Sequence, residues 1–131
     1  MFYEVACKRT NGLGKVISES YLVSNVLLFG EAETAIITKF DMAVDVCGVK
    51  RSKVLKVINK PSAESGIFVA SVMDRGNESD KWVKYEIAVY AQSIEEATQF
   101  ALNYANAAEE IESIVTAVRE SKFVEHVIYM Q

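Results

Sequence analysis

The sequence predicts an α+β protein: tandem duplicated ββαβ units, with two helices packed on a mixed, mostly antiparallel sheet of six or more strands. Three observations carry this reading. The apolar pattern switches from a period of about 2 to a period of about 3.6 and back, twice along the chain. Short strings recur: Leu28-Phe29-Gly30-Glu31-Ala32 matches Ser93-Ile94-Glu95-Glu96-Ala97, and Ser52-Lys53-Val54 matches Ser121-Lys122-Phe123. Between the copies lies Asn59–Gly66, "NKPSAESG", which holds the only proline. The expected organisation is a first ββαβ repeat over 1–60, a linker over 61–66 and a second repeat over 67–131. A lone ββαβ unit cannot cover its own sheet, so the two are expected to form one compact domain with a shared core.

Phe2–Arg9 is aromatic and β-branched, as strands are. Asn11-Gly12-Leu13-Gly14 tolerates positive φ and marks a tight turn. Lys15–Leu27 is a second strand. Phe29, Ala32, Ile36, Ile37 and Phe40 then fall at helical spacing, with Glu31 and Glu33 early in the helix, where its dipole favours acids. Val44–Val49 and Lys53–Ile58 return to β character, as two strands or one bent strand.

After the linker the order repeats. Ile67–Met73 is a strand and Asp74–Asp80 a polar loop. Lys81–Ala91 alternates, with Val83, Tyr85, Ile87 and Val89 on one side and Trp82, Lys84, Glu86 and Tyr90 on the other. Ser93 followed by Glu96 is a capping box. Ile94, Ala97, Ala101, Tyr104, Ala105 and Ala108 form the expected buried stripe of the second helix. Ile111–Val118 and Phe123–Met130 close the unit as strands. Phe29 and Ile94 are expected at equivalent core positions.

Half of the 131 residues are hydrophobic, enough for a real core and far from a disordered composition. No stretch has the length of a membrane span and no signal-like leader opens the chain, so a soluble, cytoplasmic protein is expected. Eighteen acids against 14 bases give a net charge of −4, which offers nucleic acid no global attraction.

Taken together, "FYEVACKR", "ESYLVSN" with "FGEAETAI", "VCGVKRSKVLKVI" and the ending "SIVTAVRESKFVEHV" resemble the domain-of-unknown-function family 4494. The resemblance covers almost the whole chain. It implies a small protein of gut-type bacteria and their phages, and it carries no catalytic residues. The short linker at Asn59–Gly66 departs from the family pattern.

No catalytic or metal set assembles in the sequence. His126 is the only histidine and Cys7 and Cys47 the only cysteines, so neither a zinc site nor a nucleophile–base pair has its companions. Glu95-Glu96 and Glu109-Glu110 are neighbours on a helix or at its end and point in different directions. Gly12-x-Gly14 lies between two strands, which excludes a phosphate loop. The expectation is therefore no enzyme, no cofactor and no metal.

Two surfaces remain as candidates. Lys50, Arg51, Lys53, Lys56 and Lys60 form a basic strip, fit either to guard an edge strand or to contact phosphates. Trp82, Lys84 and Tyr90 form an aromatic face, fit for a protein interface or for stacking on single-stranded bases. The sequence thus points to a non-enzymatic binding or accessory protein of a phage or prophage that self-associates or binds another phage or host protein, with no membrane partner. The alternatives are single-stranded nucleic-acid binding in phage DNA metabolism, and a small-ligand sponge or inhibitor acting against host defence.

Overall fold

A computed structural model describes residues 1–76, 81–107 and 109–130. It bears out the α+β class, with two helices on two mixed, mostly antiparallel sheets of four strands each. β1 (Tyr3–Thr10) and β2 (Val16–Ser24) make an antiparallel hairpin, Tyr3 opposite Val23 and Thr10 opposite Val16. The side-chain oxygen of Asn11 accepts from the N–H groups of Leu13 and Lys15 and closes the connection. Gly14 turns there at a φ of 77°, a region that costs glycine nothing.

α1 (Phe29–Lys39) follows. Its N-cap, Leu28, has no side-chain acceptor, so Glu31 supplies one, accepting from the N–H groups of Leu27 and Leu28 at 2.9 and 3.0 Å. β3 (Asp45–Arg51) pairs with the outer side of β1. Strands β2 and β3 therefore run parallel with β1 between them, the setting expected of a helix crossover. Tyr3, Val5 and Cys7 of β1 and Tyr21 and Val23 of β2 pack under Ala32, Ala35 and Ile36 of α1. The opposite residues of β1 (Glu4, Ala6 and Lys8) lie on the other face of the sheet.

β5 (Gly66–Gly76), β6 (Val83–Ala91), α2 (Ile94–Asn106) and β7 (Ile111–Glu120) repeat this arrangement. Ser93 Oγ accepts from the N–H of Glu96, and Glu96 accepts from that of Gln92, so the expected cap is present. Phe68, Ala70 and Val72, with Ile87, Val89 and Ala91, pack under Ala97 and Ala101. β5 is longer than its sequence suggests: Asp74, Arg75 and Gly76 continue it opposite Ser113, Glu112 and Ile111. The rest of the expected loop, 77–80, and Ala108 of the expected stripe lie outside the described residues.

The fourth strand of each sheet is contributed from the other half of the sequence. β4 (Val54–Ile58) pairs in parallel with β6, and β8 (Phe123–Ile128) pairs in parallel with β2. The compact units are accordingly Met1–Ser52 with Lys122–Gln131, and Lys53–Ser121. This differs from the division into 1–60 and 67–131, because ladder hydrogen bonds claim β4 and β8 across the sequence boundary. Asn59–Gly66 links β4 to β5, two strands of one sheet.

The two units match in fine detail. The first has its register shifts at Ala6/Cys7 of β1 and Ser20/Tyr21 of β2. The second has them at Ser71/Val72 of β5 and between the partners Glu86 and Ile87 of β6. Ser52 N–H donates to the Phe2 carbonyl, as Ser121 N–H does to that of Ile67. Phe29 and Ile94 each open a helix, but neither is a core residue: they are 55% and 42% exposed. Phe29 lies edge-on to the ring of Tyr3, 4.9 Å between centroids, and the rest of its surface stays largely exposed.

Candidate functional site

Away from its helix, each sheet has a second face that is open only in part: Leu22 in the first unit and Val69 and Ala88 in the second are buried on it. In the second unit the α2 side takes Tyr85, Ile87, Val89 and Ala91, so Lys84 and Glu86 fall on the open side. There a trough of about 540 Å³ is lined by Lys53, Leu55, Ser71, Met73, Lys84, Glu86 and Thr116, with parts of Val72 and Tyr85. Strands β4 to β7 supply these residues, together with Lys53 just before β4, whose carbonyl accepts from the Glu86 N–H at 3.3 Å. Glu86 is bound to Arg119 at 2.9 Å and Thr116 Oγ1 to the Ser71 carbonyl at 3.3 Å. Among the described residues Lys53 and Lys84 have no ion-pair partner. The trough thus gathers two lysines with the apolar side chains of Leu55 and Met73 along its lining.

The same face of the first unit is shallower. Its two hollows hold about 280 and 290 Å³ and are lined by small residues, among them Ala6, Ser20 and Gly48. The ammonium groups of Lys50 and Lys122 both lie near a Glu4 carboxylate oxygen, at 3.8 and 3.3 Å, so much of the positive charge there is already neutralised.

The basic strip is divided between the two units. Lys50 and Arg51 end β3 in the first unit, whereas Lys53 and Lys56 belong to the second, with Lys60 exposed beyond β4. β3 and β4 are both edge strands, where lysine discourages further pairing. Lys56 turns to the helix side, 5.5 Å from the Tyr104 ring, so of the strip only Lys53 reaches the trough. The aromatic face divides too. Tyr90 is buried, Trp82 is half-buried just before β6, and Arg75 stacks on Trp82 at 4.6 Å. Lys84 alone of the three lines the trough. Leu55, Ser71, Met73 and Thr116 had no signal in sequence, because only strand pairing gathers them.

Several groups away from the trough are shifted by their surroundings. Burial pushes the Tyr21 phenol up to about 12, and its O–H donates to Glu19, which also binds Arg9. Burial also raises Tyr85, followed by its hydrogen bonds to Tyr104 and Asp74. His126 is held below its ordinary value by burial, with its Nε2 2.7 Å from Ser24 Oγ. Cys7 is buried and its thiol raised by desolvation, which leaves it a poor nucleophile, while Cys47 is exposed. No three His, Cys, Asp or Glu residues gather as a metal site among the described residues. No described helix is long and apolar enough to cross a membrane.

The family model for a domain of unknown function, DUF4494, matches residues 2–129. The chain belongs to that family. The match includes every strand and both helices, so the trough is a feature of the DUF4494 region itself. Searches of the curated proteins and of the solved structures find no match.

Proposed function

We propose that this DUF4494 protein is a non-enzymatic binding protein of a phage or prophage, and that it holds an anionic ligand with an apolar portion on the open face of its second sheet. The observation that carries this is that Lys53 and Lys84 line the 540 Å³ trough together with Leu55 and Met73. Two lysines without an ion-pair partner among the described residues favour a carboxylate or phosphate, and the apolar side chains beside them favour a ligand that buries hydrocarbon or a ring. The matched register shifts of the two units support a duplicated origin, with the second copy specialised for binding.

Single-stranded nucleic acid is the second reading, favoured by Trp82 and the two lysines of the trough. The Arg75 guanidinium already occupies one face of Trp82, so a small ligand suits the site better. NMR titration of the intact protein with mononucleotides, and separately with oligo-dT, tests both. Shifts centred on Lys53, Met73 and Lys84 and absent from a Lys53→Gln/Lys84→Gln variant support the site. Shifts centred elsewhere overturn it. Oligo-dT shifts that include Trp82, and that weaken steeply with salt, favour the second reading.

A further inference from the structure

We infer that β7 is a docking edge for a second copy of this chain, joined antiparallel to the β7 of its partner. Four strands end the two sheets: β3, β8, β4 and β7. The first three are short, at seven, six and five residues, and β3 and β4 carry lysines. β7 runs for ten residues, contains neither lysine nor proline, and leaves Ile111 and Ile114 more than 40% exposed. Natural edge strands are blunted by brevity, charge, proline or a bulge; β7 is long, has no lysine or proline and exposes apolar side chains, and its charges and its single bulge fit a second copy of itself.

Its charges are complementary to themselves. Ser71 pairs with Ala117 and Val72 with Val115, so Thr116 is an extra residue. This bulge shifts the alternation by one. Val115 and Val118 therefore both pack on the α2 side. Glu112 and Arg119, seven positions apart, both fall on the open side, bound there to Arg75 and Glu86. In an antiparallel pair of β7 strands centred between Val115 and Thr116, Glu112 stands opposite Arg119 of the second copy. Arg119 stands opposite Glu112 of the second copy in turn. Ile114 meets Ala117, and Ser113 meets Val118. These outer pairs each join residues of one face, as a two-fold axis perpendicular to the sheet requires, while Val115 and Thr116 meet at the bulge on the axis itself. Both helices then lie on one side of a continuous sheet, and each Glu112 and Arg119 gains a second partner.

The experiment is sedimentation velocity on the intact protein without ligand, from low to high micromolar. A dimer is expected. Ile114→Lys and Glu112→Arg should each weaken it about tenfold or more, the first by charging the edge and the second by opposing like charges twice. Glu112→Arg/Arg119→Glu should restore it to within a few-fold. The double variant loses the contact to Arg75 as Glu112→Arg does, and the one to Glu86 besides, so recovery isolates the pairs between copies. Lys84→Gln should leave the dimer unchanged, which separates this interface from the trough. Circular dichroism verifies that each variant is folded. A strict monomer at high micromolar overturns the inference, as does a dimer that none of the substitutions weakens. Failure of the double variant to recover overturns the register.

Discussion

His126 illustrates how burial sets the chemistry of a single residue. Ser24 Oγ lies 2.7 Å from its Nε2, the Phe2 ring lies 5.8 Å away, and desolvation outweighs the raising effect of Glu125. Its folded-state pKa is thus below the ordinary 6.5, and the neutral ring is the form the fold prefers. An unfolded chain then binds the proton more tightly. The contribution is whole above about 6.5, declines as pH falls below that value, and stops changing below the lowered folded value. Thermal melts of the intact protein between pH 7.5 and pH 5 should show this loss. His126→Gln should melt with a flatter pH dependence across the same window. An unchanged slope in the variant would assign the loss to the carboxylates. The sequence showed His126 to lack catalytic companions, but its proximity to Ser24 depends on β8 joining β2, a contact of 102 residues' separation.

Elements were more legible than residues, for a physical reason. Periodicity is a local property, so both helices and most strand positions follow from the apolar pattern. Register is non-local, and nothing in "VKRSKVLKVI" says that Lys50 and Lys56 serve different sheets. Helix ends show the limit most clearly. Phe29 shares the apolar stripe of α1 by spacing, yet it is 55% exposed, whereas Ile36 is fully buried. Ile36→Ala should cost about 2–5 kcal/mol, as large-to-small changes do in cores, and Phe29→Ala clearly less. Ser93→Ala removes the acceptor of the Glu96 N–H and should cost about 1 kcal/mol. Urea denaturation of the three variants checks the ranking. A Phe29→Ala cost equal to that of Ile36→Ala would contradict the exposure at the start of α1.

At the scale of the whole molecule, strand exchange makes each half of the sequence depend on the other. The expected boundaries at 61–66 fall within one sheet, between β4 and β5. A fragment of residues 1–60 would keep β1, β2, α1 and β3 but lose β8, and would leave β4 with nothing to pair with. A fragment of residues 61–131 would lose β4 and leave β8 unpaired in the same way. Each fragment would expose Val54 or Phe123, both buried in the intact chain, together with an open side of β2 or β6. Neither alone should fold cooperatively. Mixed in equal amounts they should, since each supplies the strand the other lacks and the cut falls in a connection without strand structure. Circular dichroism of the separate and mixed fragments reads the outcome, with a sigmoidal melt expected only for the mixture. Cooperative folding of 1–60 alone would mean that a ββαβ unit needs no fourth strand. The exchanged strands would then be an ornament on two self-sufficient units. If mixing is required, the fourth strand supplies what a three-stranded sheet lacks: cover for the apolar edge that β2 and β6 would otherwise present to water.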